Sequence, residues 1–168
     1  IVYGARISLQ IGFISVGISL LIGTVLGAVA GFYGKAADTI IMRIVDIMLS
    51  IPSVLLAIVI ASVLGTGMQN LMIAIGISSV PSYARIVRAS ILSLRDQEYI
   101  EAARLAGCSD FRIIFRHIMP NILAPVIVQV TLCLGLAILN ASALSFLGLG
   151  VQAPQPEWGS MLAAGRNY

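Results

Sequence analysis

The ionisable side chains of this chain are concentrated in one polar stretch, residues 98–121 (EYIEAARLAGCSDFRIIFRHIMPN). Six of the ten basic residues lie between Arg85 and Arg116. The same window holds four acidic residues, Asp96, Glu98, Glu101 and Asp110. Side chains of both charges at this density suit ion pairs and charge-assisted hydrogen bonds with a soluble partner. The stretch is therefore the first candidate for a binding surface.

The residue patterns that would support catalysis do not occur. The chain has no G-x-x-x-x-G-K-[ST] phosphate-binding loop, so it is not expected to hydrolyse ATP itself. It has no H-E-x-x-H zinc motif, and its one histidine, His117, has no cysteine or carboxylate at ligand spacing. Cys108 and Cys133 predict neither a disulfide framework nor a metal site. We therefore expect a protein that is not an enzyme and needs no cofactor or metal.

The first part of the polar stretch is predicted to be a short helix. Ser93 and Asp96 have the spacing of a capping box, which would open a helix over residues 94–106. Gly107 stands where a residue in the left-handed region would end that helix. The sequence therefore predicts a short helix that stops at a sharp glycine turn.

A second helix, FRIIFRHIM, is predicted after the turn, with Ser109 or Asp110 as its N-cap. It runs into apolar sequence at Pro120. Two helices around a glycine turn also match the helix-turn-helix pattern of DNA-binding proteins. Here, however, both helices lead directly into apolar segments, without a soluble core that would hold a recognition helix away from lipid. We therefore expect no nucleic-acid partner.

Two interpretations of the short helix remain open on the residues alone. Ala102 and Ala103 have methyl-sized side chains that would let a partner approach the backbone, and Glu101 offers a charge for a partner's lysine or arginine. A short, stiff helix of this kind could receive force from a soluble motor protein. Alternatively, it could be an amphipathic helix that lies on the lipid headgroups.

The composition places the rest of the chain in a membrane. Of its 168 residues, 59% are hydrophobic and only 10% are charged, with a mean hydropathy of +1.02. Soluble domains carry about 25% charged residues, so this composition is typical of an integral membrane protein. The chain is expected to form a single transmembrane domain over residues 1–168. Because it starts at Ile1 within what reads as continuing sequence, it is expected to be a fragment.

Four spans are predicted. Residues 7–34 carry no charge and are long enough for one. Residues 47–84 are too long for a single span, and the turn formers at 65–67 divide them into two. The fourth covers about 120–147 and ends at Gly148, followed by a loop with Pro154 and Pro156.

The distribution of Lys and Arg predicts the orientation. A loop over residues 35–46 and the segment 85–116 together hold eight of them, whereas the other side holds only Arg6 and Arg166. By the positive-inside rule, the side with eight is cytoplasmic. Both ends of the fragment are then extracytoplasmic.

Features within the spans favour structural roles. Small residues recur every four positions in the first span, where they would let two helices approach closely, at Gly23, Gly27 and Gly31. Pro52 and Pro81 are each expected to kink a helix. Asp46 is expected to pair with Arg43, three residues earlier on the same helix. These features could also serve a moving pore, although ordinary bundle packing explains them.

The polar stretch resembles the EAA loop of ABC importer permeases. That pattern has Glu-Ala-Ala, a glycine four residues after the second alanine, and a proline beyond, here at Glu101, Ala102, Ala103, Gly107 and Pro120. The general pattern has Ile and Leu where this chain has His117 and Met119. The segment RIIFRHIMPN is instead similar to the corresponding segment of the dipeptide, oligopeptide and nickel branch of this family. Three further segments are similar to the second permease subunit of that branch, namely SLQIG, LSFLGLGVQAPQPEWGSML and GRNY.

This resemblance implies an all-α helix bundle of the type I importer permease kind, in a bacterial or archaeal inner membrane. It implies that residues 93–120 form a coupling-helix loop in which Glu101, Ala102, Ala103 and Gly107 dock on an ABC ATPase subunit. The implied partners are those ATPase subunits, a second permease subunit and an extracytoplasmic substrate-binding protein. The implied cargo is a di- or oligopeptide, or nickel.

The extracytoplasmic loop, residues 148–168, has two interpretations. Trp158 could face the substrate-binding protein, or it could be an ordinary anchor at the membrane interface. A passive channel or secondary transporter is the alternative function for the whole chain, with the Arg-rich segment lying on the membrane surface.

Overall fold

The computed structural model describes residues 2–151 and 155–165, and the regular structure in those residues is entirely helical. Helices are expected of so apolar a chain because, in lipid, a helix satisfies its own backbone groups. The elements in chain order are α1 (Val2–Tyr33), α2 (Lys35–Leu49), α3 (Ser53–Leu64), α4 (Met68–Leu94), α5 (Glu98–Leu105), α6 (Asp110–Phe146) and α7 (Trp158–Gly165). The prediction of an all-α bundle is confirmed.

The course of the chain through the bundle gives four crossings. α1, α4 and α6 are each long and apolar enough to span a membrane. α1 and α4 run parallel, because Gly23 packs on Tyr83 and, further along both helices, Gly31 packs on Ile91. The chain between them must therefore return to the opposite end, and α2 and α3 together make that return. Counted as one span, this bent pair brings the total to 4.

The second span is broken rather than kinked. The axes of α2 and α3 differ by 91°. Pro52 lies in the break with φ −52° and ψ 133°, an extended conformation that separates the two helices. The prediction of a simple kink at Pro52 is therefore wrong. α4, in contrast, continues through Pro81 as one helix.

The predicted loop over residues 35–46 is also wrong, because these residues form most of α2. Apolar residues recur along one side of this helix and are exposed on the bundle, namely Ile40, Ile44 and Ile47. Lys35 and Arg43 had suggested a loop. In an amphipathic helix, charges of this kind are compatible with regular structure.

Two aspartates of α2 pair with arginines of α4. Asp46 Oδ1 accepts a hydrogen bond of 2.9 Å from Arg85 Nη2. Asp38 accepts two from Arg88, including one of 2.6 Å from Nη2 to Oδ2. The predicted pair of Asp46 with Arg43 is therefore replaced by a pair between helices. Arg85 and Arg88 lie inside α4 and not in a loop, and their pairs hold α2 against it.

The glycines of the first span form a close contact between α1 and α4. A Cβ atom at Gly27 would lie 2.6 Å from Ala84 O and 2.8 Å from Val87 Cβ. At Gly23 it would lie 2.5 Å from Tyr83 Cβ. Only hydrogen fits at these positions, so the predicted small-residue seam between α1 and a second helix is confirmed.

Replacing Gly27 with Ala should therefore destabilise the bundle, although alanine favours helix. The added methyl group collides with the backbone of α4, and overpacking of this kind costs about 1–3 kcal/mol. The matched control is Gly17→Ala in the same helix, since a Cβ there meets nothing within 4 Å. Thermal unfolding in detergent should show a lower Tm for the first variant and an unchanged or higher Tm for the second. Equal Tm values would contradict the close approach.

The end of the bundle at which α1 and α4 begin also holds α7. Glu157, just before α7, is fully buried. Its carboxylate accepts hydrogen bonds from Ser8 Oγ at 3.3 Å and from Ser160 N at 3.0 Å. These bonds tie α7 to α1, so the predicted loop of residues 148–168 contains a fixed helix. Some predicted positions lie outside the described residues, namely Pro154, Arg166, Asn167 and Tyr168.

Candidate functional site: a short helix at the Arg-rich end

The end of the bundle at which α1 and α4 finish carries α5 and the start of α6, and we call it the Arg-rich end. α4 extends to Leu94, and α5 begins only at Glu98. The predicted capping box is therefore wrong. Ser93 Oγ donates to Ser90 O within the last turn of α4. Gln97 precedes α5, with no side-chain hydrogen bond to the helix.

The predicted glycine turn is confirmed. Gly107 has φ +77°, in the left-handed region where glycine has no steric penalty. Its N–H donates to Arg104 O at 3.0 Å, and Cys108 N donates to Ala103 O at 3.1 Å. These two bonds form a Schellman motif, which satisfies the final carbonyls of a helix. α5 is therefore closed at its end by the backbone itself.

Two contacts anchor the inner side of α5 to the bundle. Ile100 is fully buried in an apolar cluster with residues of α1, α4 and α6. The Arg104 guanidinium lies over the Phe32 ring at 5.2 Å from its centroid, a cation–π contact with the end of α1. A movement of α5 would therefore act directly on the ends of the spanning helices.

The outer side of α5 is exposed. Glu101 and Ala102 lie on it, together with Leu105, whose side chain is 90% exposed. Ala103 is on the other side, packed against the apolar cluster. Of the residues assigned to docking from the sequence, Glu101 and Ala102 thus share an outward surface, and Gly107 shapes its end. Ala103 can support this surface but does not present its side chain on it.

The start of α6 departs from regular α-helix. After one α-helical turn, residues Ile113–Ile118 form a π-helix and Met119–Ile122 a 3₁₀ turn. Pro120 has no N–H to bond back to the preceding turn, which favours such a change in winding. Asn121 Nδ2 donates instead to His117 O at 2.7 Å. His117 itself is half-buried.

Sequence reasoning missed two residues that set the orientation of α5, Ile100 on its inner side and Leu105 on its outer side. The signal was available, since each is an aliphatic residue within a helix that, apart from Tyr99, is otherwise charged or small. Their spacing of five residues puts them on opposite sides of α5, so one is buried and the other exposed. Within the described parts of the chain, no three His, Cys, Asp or Glu side chains group to hold a metal ion. The exposed side of α5 therefore suits contact with another protein rather than binding of a metal ion.

Comparison with known proteins agrees with this architecture. Residues 23–166 match the family model described as "Binding-protein-dependent transport system inner membrane component". The chain is 56% identical over its full length to the dipeptide transport system permease protein DppC of Alkalihalophilus pseudofirmus. It is 51% identical, again over its full length, to the di/tripeptide transport system permease protein DppC of Pseudomonas aeruginosa. It spans 55% of the length of each of these relatives.

Among solved structures, the chain is similar to the MetNI methionine ABC transporter in an inward-facing conformation. The TM-score is 0.76 at 20% sequence identity, with 98% of this chain and 84% of the other covered. At that identity the likeness establishes the fold alone. With the family match over residues 23–166, this chain belongs to the binding-protein-dependent transport system inner membrane component family and has the fold of an ABC importer permease.

Proposed function

We propose that this chain is the core of a membrane permease subunit in an ATP-driven, binding-protein-dependent importer of di- or oligopeptides. The family membership and the peptide transport named for the relatives support this proposal. Because the chain spans 55% of those relatives, the transport activity belongs to the longer protein. ATP hydrolysis occurs on a separate ATPase subunit, and the pore is completed by a second permease subunit.

The observation that carries the proposal is the construction of α5. Its inner side is fixed by Ile100, and its outer side presents Glu101, Ala102 and Leu105. A rigid element with one anchored and one free side can transmit a displacement between a soluble partner and the spanning helices. We assign the outer side to the ATPase and the inner side to the bundle. ATP binding would then switch the bundle by rigid-body movement.

The Arg-rich end faces the cytoplasm in this proposal. Arg95 and Arg104 lie there, with Arg112 and Arg116 at the start of α6, in agreement with the positive-inside rule. The opposite end, with α7 and Trp158, then faces outward and lies where a substrate-binding protein would deliver its cargo. Trp158 is 39% exposed, which fits either a contact with that protein or an interfacial anchor.

Uptake of a labelled dipeptide tests the proposal. The gene for the full-length permease is deleted in its host and restored on a plasmid, and uptake is measured with and without depletion of ATP. We expect uptake to require both the permease and ATP, with restoration by the plasmid. Dipeptide uptake that survives the deletion would contradict the proposed cargo. Permease-dependent uptake that continues after ATP depletion would instead support a passive channel or secondary transporter.

A further inference from the structure

A cavity of about 210 Å³ lies beside the break between α2 and α3. It is partly open and is lined by exposed residues at the break, by one side of α4 and by the second half of α6. Its polar lining consists of Ser53, Ser78, Ser79, Ser82 and Asn140. Ser79 and Ser82 flank Pro81 near the middle of α4, so the cavity lies about midway along a helix that is long and apolar enough to span a membrane.

Three of the polar side chains in this cavity are not used by the fold. Ser78 Oγ donates to Ile75 O within its own helix. In the described part of the chain, the side chains of Ser79, Ser82 and Asn140 have no hydrogen-bond partner, and all three are half-buried. Unpaired polar groups are costly inside a membrane and are usually retained for a function. Other span hydroxyls, such as Ser19 and Thr131, bond to their own helix.

The break adds backbone groups to the same cavity. α3 starts at Ser53, and Pro52 gives its first turn no side-chain cap. The first N–H groups of a helix have no partner within the helix. Non-helical backbone at membrane depth is tolerated where it lines a cavity, and broken helices in transporters commonly border the solute. The cavity thus offers hydroxyl, amide and backbone groups together.

The lining selects for a neutral ligand group. None of the described residues that line the cavity is charged, so among them there is no partner for a carboxylate or an ammonium group. Hydroxyl and amide side chains both donate and accept hydrogen bonds, which matches the N–H and C=O of a peptide bond. The volume exceeds the share of one water molecule, about 30 Å³, by enough to admit an amide group with its neighbouring carbons.

We propose that this cavity is a station on the solute pathway where the peptide bond of the cargo is hydrogen-bonded by Ser79, Ser82 and Asn140. This inference rests on the proposed function and specifies how its cargo is recognised. It also favours a peptide over a nickel ion, because serine hydroxyls and an asparagine amide are poor ligands for that metal.

A pair of variants of equal shape tests the site in the full-length, assembled importer. S79T/S82T keeps both hydroxyls, whereas S79V/S82V replaces them with methyl groups of the same outline. Ser62→Thr and Ser62→Val form a control pair, since Ser62 is exposed on α3 and bonds to Val59 O of its own helix. Dipeptide uptake is measured in proteoliposomes, normalised to the amount of assembled complex. ATPase activity stimulated by the binding protein is measured in parallel.

We expect S79V/S82V to transport the dipeptide about tenfold more slowly than S79T/S82T, with stimulated ATPase activity within about twofold. The Ser62 pair should show no difference. Equal uptake by the two double variants would overturn the site, while the proposed function would stand as long as wild-type uptake is intact. If the valine variant does not assemble, Asn140→Leu against Asn140→Gln makes the same comparison. Absence of dipeptide uptake by the wild type would overturn the proposed function itself.

Discussion

Replacing Ala102 with Trp is expected to remove the ATPase from the purified importer while the permease remains folded in the membrane. Ala102 is exposed on the outer side of α5, so a larger side chain there points away from the described part of the bundle. In the proposed complex it would be forced into a packed interface, where overpacking costs about 1–3 kcal/mol. Affinity should then fall by about 5- to 150-fold. Co-purification of the ATPase with affinity-tagged permease measures the loss.

The control for this variant is Leu139→Trp. Leu139 lies on α6 and is 66% exposed on the outer surface of the bundle, away from α5. The variant adds the same indole group at an exposed position that the proposal does not assign to the ATPase contact. The control should retain the ATPase at the wild-type level. An Ala102→Trp permease that still co-purifies with a full complement of ATPase would refute the assignment of this surface.

Replacing Gly107 with Val is expected to uncouple ATP hydrolysis from transport. With φ +77°, this position is costly for a β-branched residue, by about 1–3 kcal/mol. A Cβ atom here meets nothing within 4 Å, so the effect would come from backbone strain and not from a collision. Relief of the strain would break the bonds of Gly107 and Cys108 that close α5. Uptake should fall about tenfold or more, with the bundle still inserted.

Asparagine is the matched substitution at this position. It adds a side chain of similar size but tolerates the left-handed region far better than valine. Gly107→Asn should therefore retain most of the uptake, measured in the same vesicles at equal permease content. If Gly107→Val also transports normally, the turn does not need this conformation for coupling. If both variants fail equally, the size of the side chain matters rather than its backbone preference.

The sequence was sufficient for features that depend on local chemistry. Apolar runs of sufficient length predicted the spanning helices, and the glycine spacing predicted that α1 packs closely against a second helix. Gly107 after a run of helix formers predicted the end of α5. Each of these inferences uses the properties of one segment, and a helix or a glycine turn largely follows from them.

Features that depend on two distant segments were not predicted. The pairing of Asp46 with Arg85 joins residues on different helices, and sequence spacing alone favoured Arg43 on the same helix. Ser93 and Asp96 had the spacing of a capping box, but packing extends α4 to Leu94, past the expected start of the next helix. Tertiary contacts of this kind override local signals.

The candidate site shows the same difference between features that follow from one segment and features that depend on contacts between segments. The motif residues Glu101 and Gly107 were identified from the sequence, whereas the burial of Ile100 and the exposure of Leu105 depend on how α5 rests on the bundle. The cavity beside α2 and α3 could not be predicted either. The break at Pro52 was expected to be a kink, and only the 91° bend brings this segment alongside Ser79 and Ser82.

A photo-crosslinking residue at position 105 tests most directly the claim that α5 connects the bundle to a cytoplasmic ATPase. Leu105 is replaced by p-benzoylphenylalanine in the full-length permease, and intact cells that express the whole importer are illuminated. The same substitution at Leu139 is the control. We expect a major product between position 105 and the ATPase subunit, and none between position 139 and that subunit. A product from position 105 with an extracytoplasmic protein, or with lipid alone, would contradict the claim.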